Sequence, residues 1–295
     1  MKDFYITKIL GDSFSISWKN RRLWLLGIFI LSLFGSFLPS FFKYFVGQSQ
    51  AAISYNIYRF FENNSIFLSS FILFAIIFIL FLFVASLICQ VGMIWQIDNI
   101  DSIKQNKFFD AVKNGARFFW KMVCLEIFFG LSYLAVLLIF GIPFVISLAK
   151  EYNSIALVFG FLLLLILVFA MLLISLSKHY IFRYLVIKKI NVWEAVKSGI
   201  FLLKNNFKIT CFILLVNFVL SIGFVLLYLL AILFIVAPLL MIGTILEISL
   251  HVPFVIAFLI LACIAVFVFY FLAKGFMQSV YNSLWSFTFY KLNKK

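Results

Sequence analysis

The side chains able to do chemistry in this sequence are few, and nearly all lie in or beside long apolar runs. Glu126 falls about one turn inside such a run, close to Lys121. A carboxylate held in an apolar medium is costly and functional by default. At the edge of a run it reaches water or pairs with a cation such as Lys121. Asn217 lies deeper in another run, with Ser221 one helical turn on. That spacing puts amide and hydroxyl on one helix face, where they can bind a neighbouring helix or line a polar cavity. Glu247 and His251 form an i, i+4 pair, read as a wetted interfacial pair or a pH-responsive one. Asp110 and Glu194 each precede an alanine in basic segments. An acid at a helix start offsets the helix dipole; a catalytic use would need a second acid or a histidine nearby, and none follows.

The constellations that catalysis requires are missing. There is no His-Glu-x-x-His, no Gly-x-Ser-x-Gly and no Gly-rich phosphate cradle. No pair of aspartates falls inside an apolar run, and only His179 and His251 could supply imidazole. Cys89, Cys124, Cys211 and Cys263 lie singly in apolar runs without metal-ligand spacing. Such cysteines behave as small buried hydrophobes. No catalytic, metal or cofactor residue is therefore expected, and no cofactor.

The surroundings explain why. Of 295 residues, 66% are hydrophobic and 12% charged, with mean hydropathy +1.18 and 42 phenylalanines. A soluble domain is nearer 45–50% apolar and about 25% charged. This balance excludes an ordinary soluble enzyme, a disordered chain and a nucleic-acid binder. It predicts an all-α polytopic membrane protein forming one integral domain over 1–295. A span needs roughly 20 apolar residues, and six segments qualify: Leu23–Phe42, Ile66–Ile97, Met122–Ala149, Ser154–Ser177, Ile209–Val236 and Pro253–Ala273. Each must be helical, because lipid satisfies no open backbone group. The uncharged stretch from Ile209 to Leu246 would be roughly 57 Å long as a straight helix; a break is expected near Pro238 or Gly243. The first run is too long for a signal-peptide core and reads as an uncleaved span.

Charge gives the threading. Of 24 Lys and Arg, 21 fall in the N-terminus, the second and fourth loops and the C-terminus, and 3 in the first and third loops. The positive-inside rule puts both termini in the cytoplasm, in a plasma (inner) membrane of bacterial type. Trp18, Trp24, Trp95, Trp120, Trp193 and Trp285 all fall at the basic boundary, as one half of an aromatic belt. Pro39, Pro143, Pro238 and Pro253 fall at the opposite boundary, where breaking a helix costs least.

Two basic segments repeat at an offset of 84: Phe109-Asp110-Ala111-Val112-Lys113-Asn114-Gly115 and Trp193-Glu194-Ala195-Val196-Lys197-Ser198-Gly199. Each reads as an amphipathic helix lying in the cytoplasmic interface ahead of a span. The first has an apolar stripe of Phe108, Val112, Ala116, Phe119 and Trp120; the second has Trp193, Val196, Ile200 and Leu203. The shared Ala111-x-x-x-Gly115 and Ala195-x-x-x-Gly199 point to a close helix approach. Ser13-x-x-x-Ser17 is the nearest equivalent at the N-terminus. Three parallel units of interfacial helix plus hairpin are expected, over 1–97, 98–181 and 182–295.

The Trp18-Lys19-Asn20-Arg21-Arg22-Leu23-Trp24 opening, the Asp/Glu-Ala-Val-Lys-x-Gly segments and the C-terminal Tyr281-x-x-Leu284 with Phe289-Tyr290-Lys291-Leu292 resemble a loose group of bacterial six-span membrane proteins. The group includes the membrane domain fused to some glycerophosphoryl diester phosphodiesterases. The resemblance implies a fold and no reaction, since the phosphodiesterase is a separate barrel that this sequence lacks. The expected function is a non-enzymatic scaffold or accessory in membrane or lipid homeostasis. Its expected partners are anionic headgroups at the cytoplasmic face, and a membrane protein or a second copy of the chain. A transporter or lipid-handling channel is the alternative, supported if Asn217, Ser221 and Glu126 line a cavity. A lipid enzyme is the third reading and needs two of Glu126, Asp110 and Glu194 to converge.

Overall fold

The computed structural model describes residues 6–30, 65–100, 108–150, 153–249 and 252–293. Every regular element among them is an α-helix. In chain order they are α1 (Ile6–Lys19), α2 (Arg22–Phe29), α3 (Ser65–Asp98), α4 (Phe108–Arg117), α5 (Phe119–Ala149), α6 (Asn153–Ile187), α7 (Val192–Asn205), α8 (Phe207–Ser249) and α9 (Val252–Asn293). Five of them, α3, α5, α6, α8 and α9, are long and apolar enough to cross a membrane. This is the architecture of a multi-pass membrane protein. Of the expected first span, α2 supplies the start, and positions 31–42 lie outside the described residues.

The long helices differ from expectation in two ways. Helix α8 runs unbroken through Pro238, and α5 through Pro143. A proline inside a helix removes one N–H and crowds the carbonyl four residues back. In lipid, ending the helix there would strip several backbone groups of partners, a larger cost than losing one bond. The second difference is at the basic end. Helix α6 continues past Ser177, and past the expected unit boundary at 181, to Ile187; α9 continues past Ala273 to Asn293. These extensions carry polar residues, which mask them in a count of apolar positions. Between α6 and α7 the chain turns through Lys189, at φ 56°.

The core sits at the basic end. One cluster joins Val91 and Ile94 of α3, Met122 and Leu125 of α5, Ile181 and Leu185 of α6 and Ala195 of α7. A second joins Ile9 of α1, Tyr180 of α6, Leu203 of α7, Ile213 of α8 and Leu284, Trp285 and Phe289 of α9. A third joins Leu23 and Leu26 of α2, Cys89 and Met93 of α3 and Ala111 of α4. Toward the other end, large apolar side chains are exposed at consecutive positions, as at Phe71, Ile72, Leu73 and Phe74. Helices apolar on all sides suit lipid, not water.

Helices α3, α6 and α9 touch pairwise in the centre. Each short helix lies on one of them: α4 on α3, α7 on α6, and α1 on α9. Small residues set these approaches. A Cβ at Gly115 would meet the Ile88 carbonyl oxygen, and one at Gly92 would come 2.7 Å from the Ala111 oxygen. A Cβ at Gly199 would meet the Ile181 side chain. Gly27 of α2 and Gly275 of α9 abut in the same manner. On α1 the buried small residues are Ser13 and Ser17.

Candidate functional site

The expected apolar stripes of the short helices are divided between buried and exposed positions. On α4, Ala111 and Gly115 are buried, Phe108 and Val112 flank them, and Ala116 is exposed. Phe118 forms a turn, so Phe119 and Trp120 belong to α5, and Trp120 is 79% exposed. On α7, Ala195, Val196, Gly199, Leu202 and Leu203 are buried, while Trp193 and Ile200 are exposed. The small residues mark where two backbones come together, and on α7 Val196, Leu202 and Leu203 pack on the same side. Phe109, Trp193, Ile200 and Phe201 face outward beside Lys113, Arg117 and Lys197. Asp110 and Glu194 lie in the exposed first turns of α4 and α7, as helix-start electrostatics requires.

Glu126 is paired with a cation more distant in sequence than Lys121. Its carboxylate accepts from Lys178 Nζ at 2.6 Å, and not from Lys121. Lys178 comes from α6, across the α5–α6 hairpin, and its ammonium also lies 5.3 Å from the Phe129 ring centroid. Lys121 instead lies over the Phe118 ring. The pairing crosses sequence distance, which spacing along one helix cannot reveal. Among the described residues, no hydrogen bond joins Glu126, Asp110 and Glu194 to one another, and no cluster of three or more His, Cys, Asp and Glu could hold a metal. Glu247 falls in the last turn of α8; its pairing with His251 lies outside the described residues.

A polar centre that the sequence reading missed lies between α6 and α9. Arg183 is 1% exposed. Its Nε donates to Ser286 Oγ at 3.1 Å, Nη1 to the His179 carbonyl at 2.6 Å and Nη2 to the Asn282 carbonyl at 2.9 Å. No carboxylate among the described residues pairs with it. His179 stacks on Trp285 with ring centroids 4.4 Å apart, and its Nε2 shares a 2.6 Å hydrogen bond with Tyr281 Oη. Tyr180 Oη and Thr210 Oγ1 lie 2.8 Å apart, which ties in α8. Trp285 is therefore wholly buried core and not a member of an aromatic belt, unlike exposed Trp18, Trp120 and Trp193. Tyr290 Oη bonds the Asp98 carboxylate and ties α9 to α3.

The signal for this centre was present. His179 and Arg183 are one turn apart on α6, and Ser279, Asn282, Ser283 and Ser286 recur at i, i+3, i+4 and i+7 on α9. That is a helical period written in polar residues. It was hidden because both segments follow the last apolar residue of a span and read as loop.

Asn217 and Ser221 are not interhelical glue. Ser221 Oγ donates to the Asn217 carbonyl on the same helix, at 2.8 Å. Asn217 is 4% exposed, and its Nδ2 has no hydrogen-bond partner. Both residues line a groove of about 460 Å³ on α8, walled by Leu214, Leu215 and Phe218 and closed by Tyr281 of α9. Glu126 is not among its lining residues.

No protein-family model, curated protein or solved structure matches this chain.

Proposed function

We propose that the chain is a non-enzymatic scaffold or accessory protein of a bacterial inner membrane, acting in membrane or lipid homeostasis with its basic end in the cytoplasm. In this reading it has six spans in three parallel units, each a short amphipathic helix followed by a hairpin. The observation that carries it is the cyclic packing of α4 on α3, α7 on α6 and α1 on α9. Each short helix sits on the second long helix of the unit before it, and the last unit is followed by the first. The buried pairs Ala111/Gly115, Ala195/Gly199 and Ser13/Ser17 occupy comparable places. Both the resemblance to the six-span bacterial group and the placement of 21 of 24 cations support it.

The short helices then act on the inner leaflet. Their outward faces, with Trp120 at the adjoining start of α5, pair exposed aromatics (Phe109, Trp193) with Lys113, Arg117, Lys197 and Lys204. A basic residue near an anionic surface gains about 1 kcal/mol. In vesicles, brominated phosphatidylglycerol should quench Trp120 and Trp193 more than brominated phosphatidylcholine does. Reversing Lys113, Arg117, Lys197 and Lys204 to glutamate should abolish the preference. Equal quenching by both lipids in the parent protein would contradict the reading. Turnover of a lipid by purified protein, lost in a single point variant, would contradict its non-enzymatic part. The groove on α8 supports a second reading, lipid handling.

A further inference from the structure

We infer that the groove on α8 is a binding site for one glycerophospholipid, whose ester carbonyl accepts a hydrogen bond from Asn217. The inference deepens the lipid-related reading above and rests on it only for the membrane setting.

Three observations converge on this occupant. The first is an unsatisfied donor. Asn217 lines the groove, is 4% exposed, and leaves Nδ2 without a partner. A buried amide N–H without an acceptor is unstable by about the worth of a lost hydrogen bond, so an acceptor oxygen belongs there. Ser221 gives its hydroxyl proton to the Asn217 carbonyl and leaves its own oxygen lone pairs toward the same groove. Tyr281 is engaged with His179. The unpartnered group is thus one amide nitrogen with N–H donors only, which suits a carbonyl oxygen.

The second is the wall. Leu214, Leu215 and Phe218 line the groove, and Leu215 and Phe218 are 58% and 60% exposed on the bundle surface. That surface faces lipid, so acyl chains reach it without crossing water. A polar solute would have to leave water and gain one hydrogen bond in return. A phospholipid brings its chains and its acceptor together.

The third is depth. Tyr281 closes the groove and bonds His179, whose neighbour Lys178 is paired with Glu126. Charges of this kind mark the edge of the hydrocarbon, since they are expensive within it. Exposed apolar side chains run from this level toward the other end, as at Leu172 of α6 and Leu272 of α9. The groove therefore lies at the boundary between acyl chains and headgroups, where the ester carbonyls of a bilayer lipid are found.

The test uses the full chain in phosphatidylcholine vesicles that contain a diacyl phosphatidylcholine with a diazirine on one acyl chain. After photolysis, label should concentrate on the α8 segment holding Asn217 and on the α9 segment holding Tyr281. Excess unlabelled diacyl lipid should compete it away saturably. Asn217→Leu should lower the labelling about fivefold, the effect of one lost hydrogen bond, and Asn217→Gln should restore part of it. Ser221→Trp, which fills the groove, should lower it as much, while Leu226→Trp on the exposed face should not. Even labelling of all lipid-facing helices would overturn the inference, and so would unchanged labelling in both Asn217→Leu and Ser221→Trp. Competition by free oleate but not by diacyl lipid would also overturn it. If Asn217→Leu does not fold, Ser221→Trp and the competition on the parent decide. Because the probe is zwitterionic, groove labelling persists or fails independently of the anionic preference tested on the short helices.

Discussion

Lys178 and Glu126 form a half-buried polar link between helices, at 27% and 23% side-chain exposure. Removing one partner of a half-buried charge pair strands the other, at a cost of about 1–3 kcal/mol. Glu126→Gln should therefore lower thermal stability in detergent, while Lys121→Gln should leave it unchanged. Equal effects would restore the pairing along α5 that spacing suggested. Arg183 differs because its three bonds run in fixed directions to Ser286, His179 and Asn282. A lysine keeps the charge but cannot fill that fork. A methionine removes the charge and keeps the bulk, which buried sites often tolerate. Arg183→Lys should be the more damaging, by about 2 kcal/mol in an unfolding measurement. The reverse order would mean that the charge itself is used. Glu126 was legible in the sequence as a paired acid near a span end, but not its partner. Arg183 was counted only as a topology signal, because a sequence records charge and not burial.

At the scale of elements, the short helices were legible in position and in their small-residue face, and less so in how their apolar stripes divide. The Ala-x-x-x-Gly spacing marked a close approach, and α4 and α7 make one through those residues. The apolar stripe expected against the membrane is divided on α7: Val196 and Leu203 pack against protein, while Trp193 and Ile200 are exposed. Amphipathicity cannot distinguish a face against protein from a face against lipid, since both are apolar. Gly115 gives a direct check. A Cβ there meets the Ile88 carbonyl, which cannot rotate away, whereas a Cβ at Gly130 meets nothing within 4 Å. Gly115→Ala should destabilise the fold, while Gly130→Ala should be neutral or stabilising by up to about 1 kcal/mol from helix propensity. Comparable melting of the two variants would show that α4 does not depend on that contact. The expected break at Pro238 failed for a related reason: the proline rule is calibrated in water, where a helix end finds other partners.

For the whole molecule, composition was enough to announce a helical membrane protein, and apolar run length located all five of the long helices now described. It could not show where along the long helices the described clusters pack. Among the described residues the buried clusters lie at the basic end, where α3, α6 and α9 meet and the short helices cover them. Apolar residues dominate both halves of the long helices, so nothing in composition separates the packed half from the lipid-exposed one. The proposed threading assigns that packed end to the cytoplasm. It is tested most directly by single cysteines in a cysteine-free background, probed with a membrane-impermeant maleimide on intact cells. One replaces Lys150, between α5 and α6 at the sparsely charged end, and one replaces Lys188, between α6 and α7 at the basic end. The account predicts labelling at 150 and protection at 188 until the cells are opened; labelling at 188 with protection at 150 would contradict it.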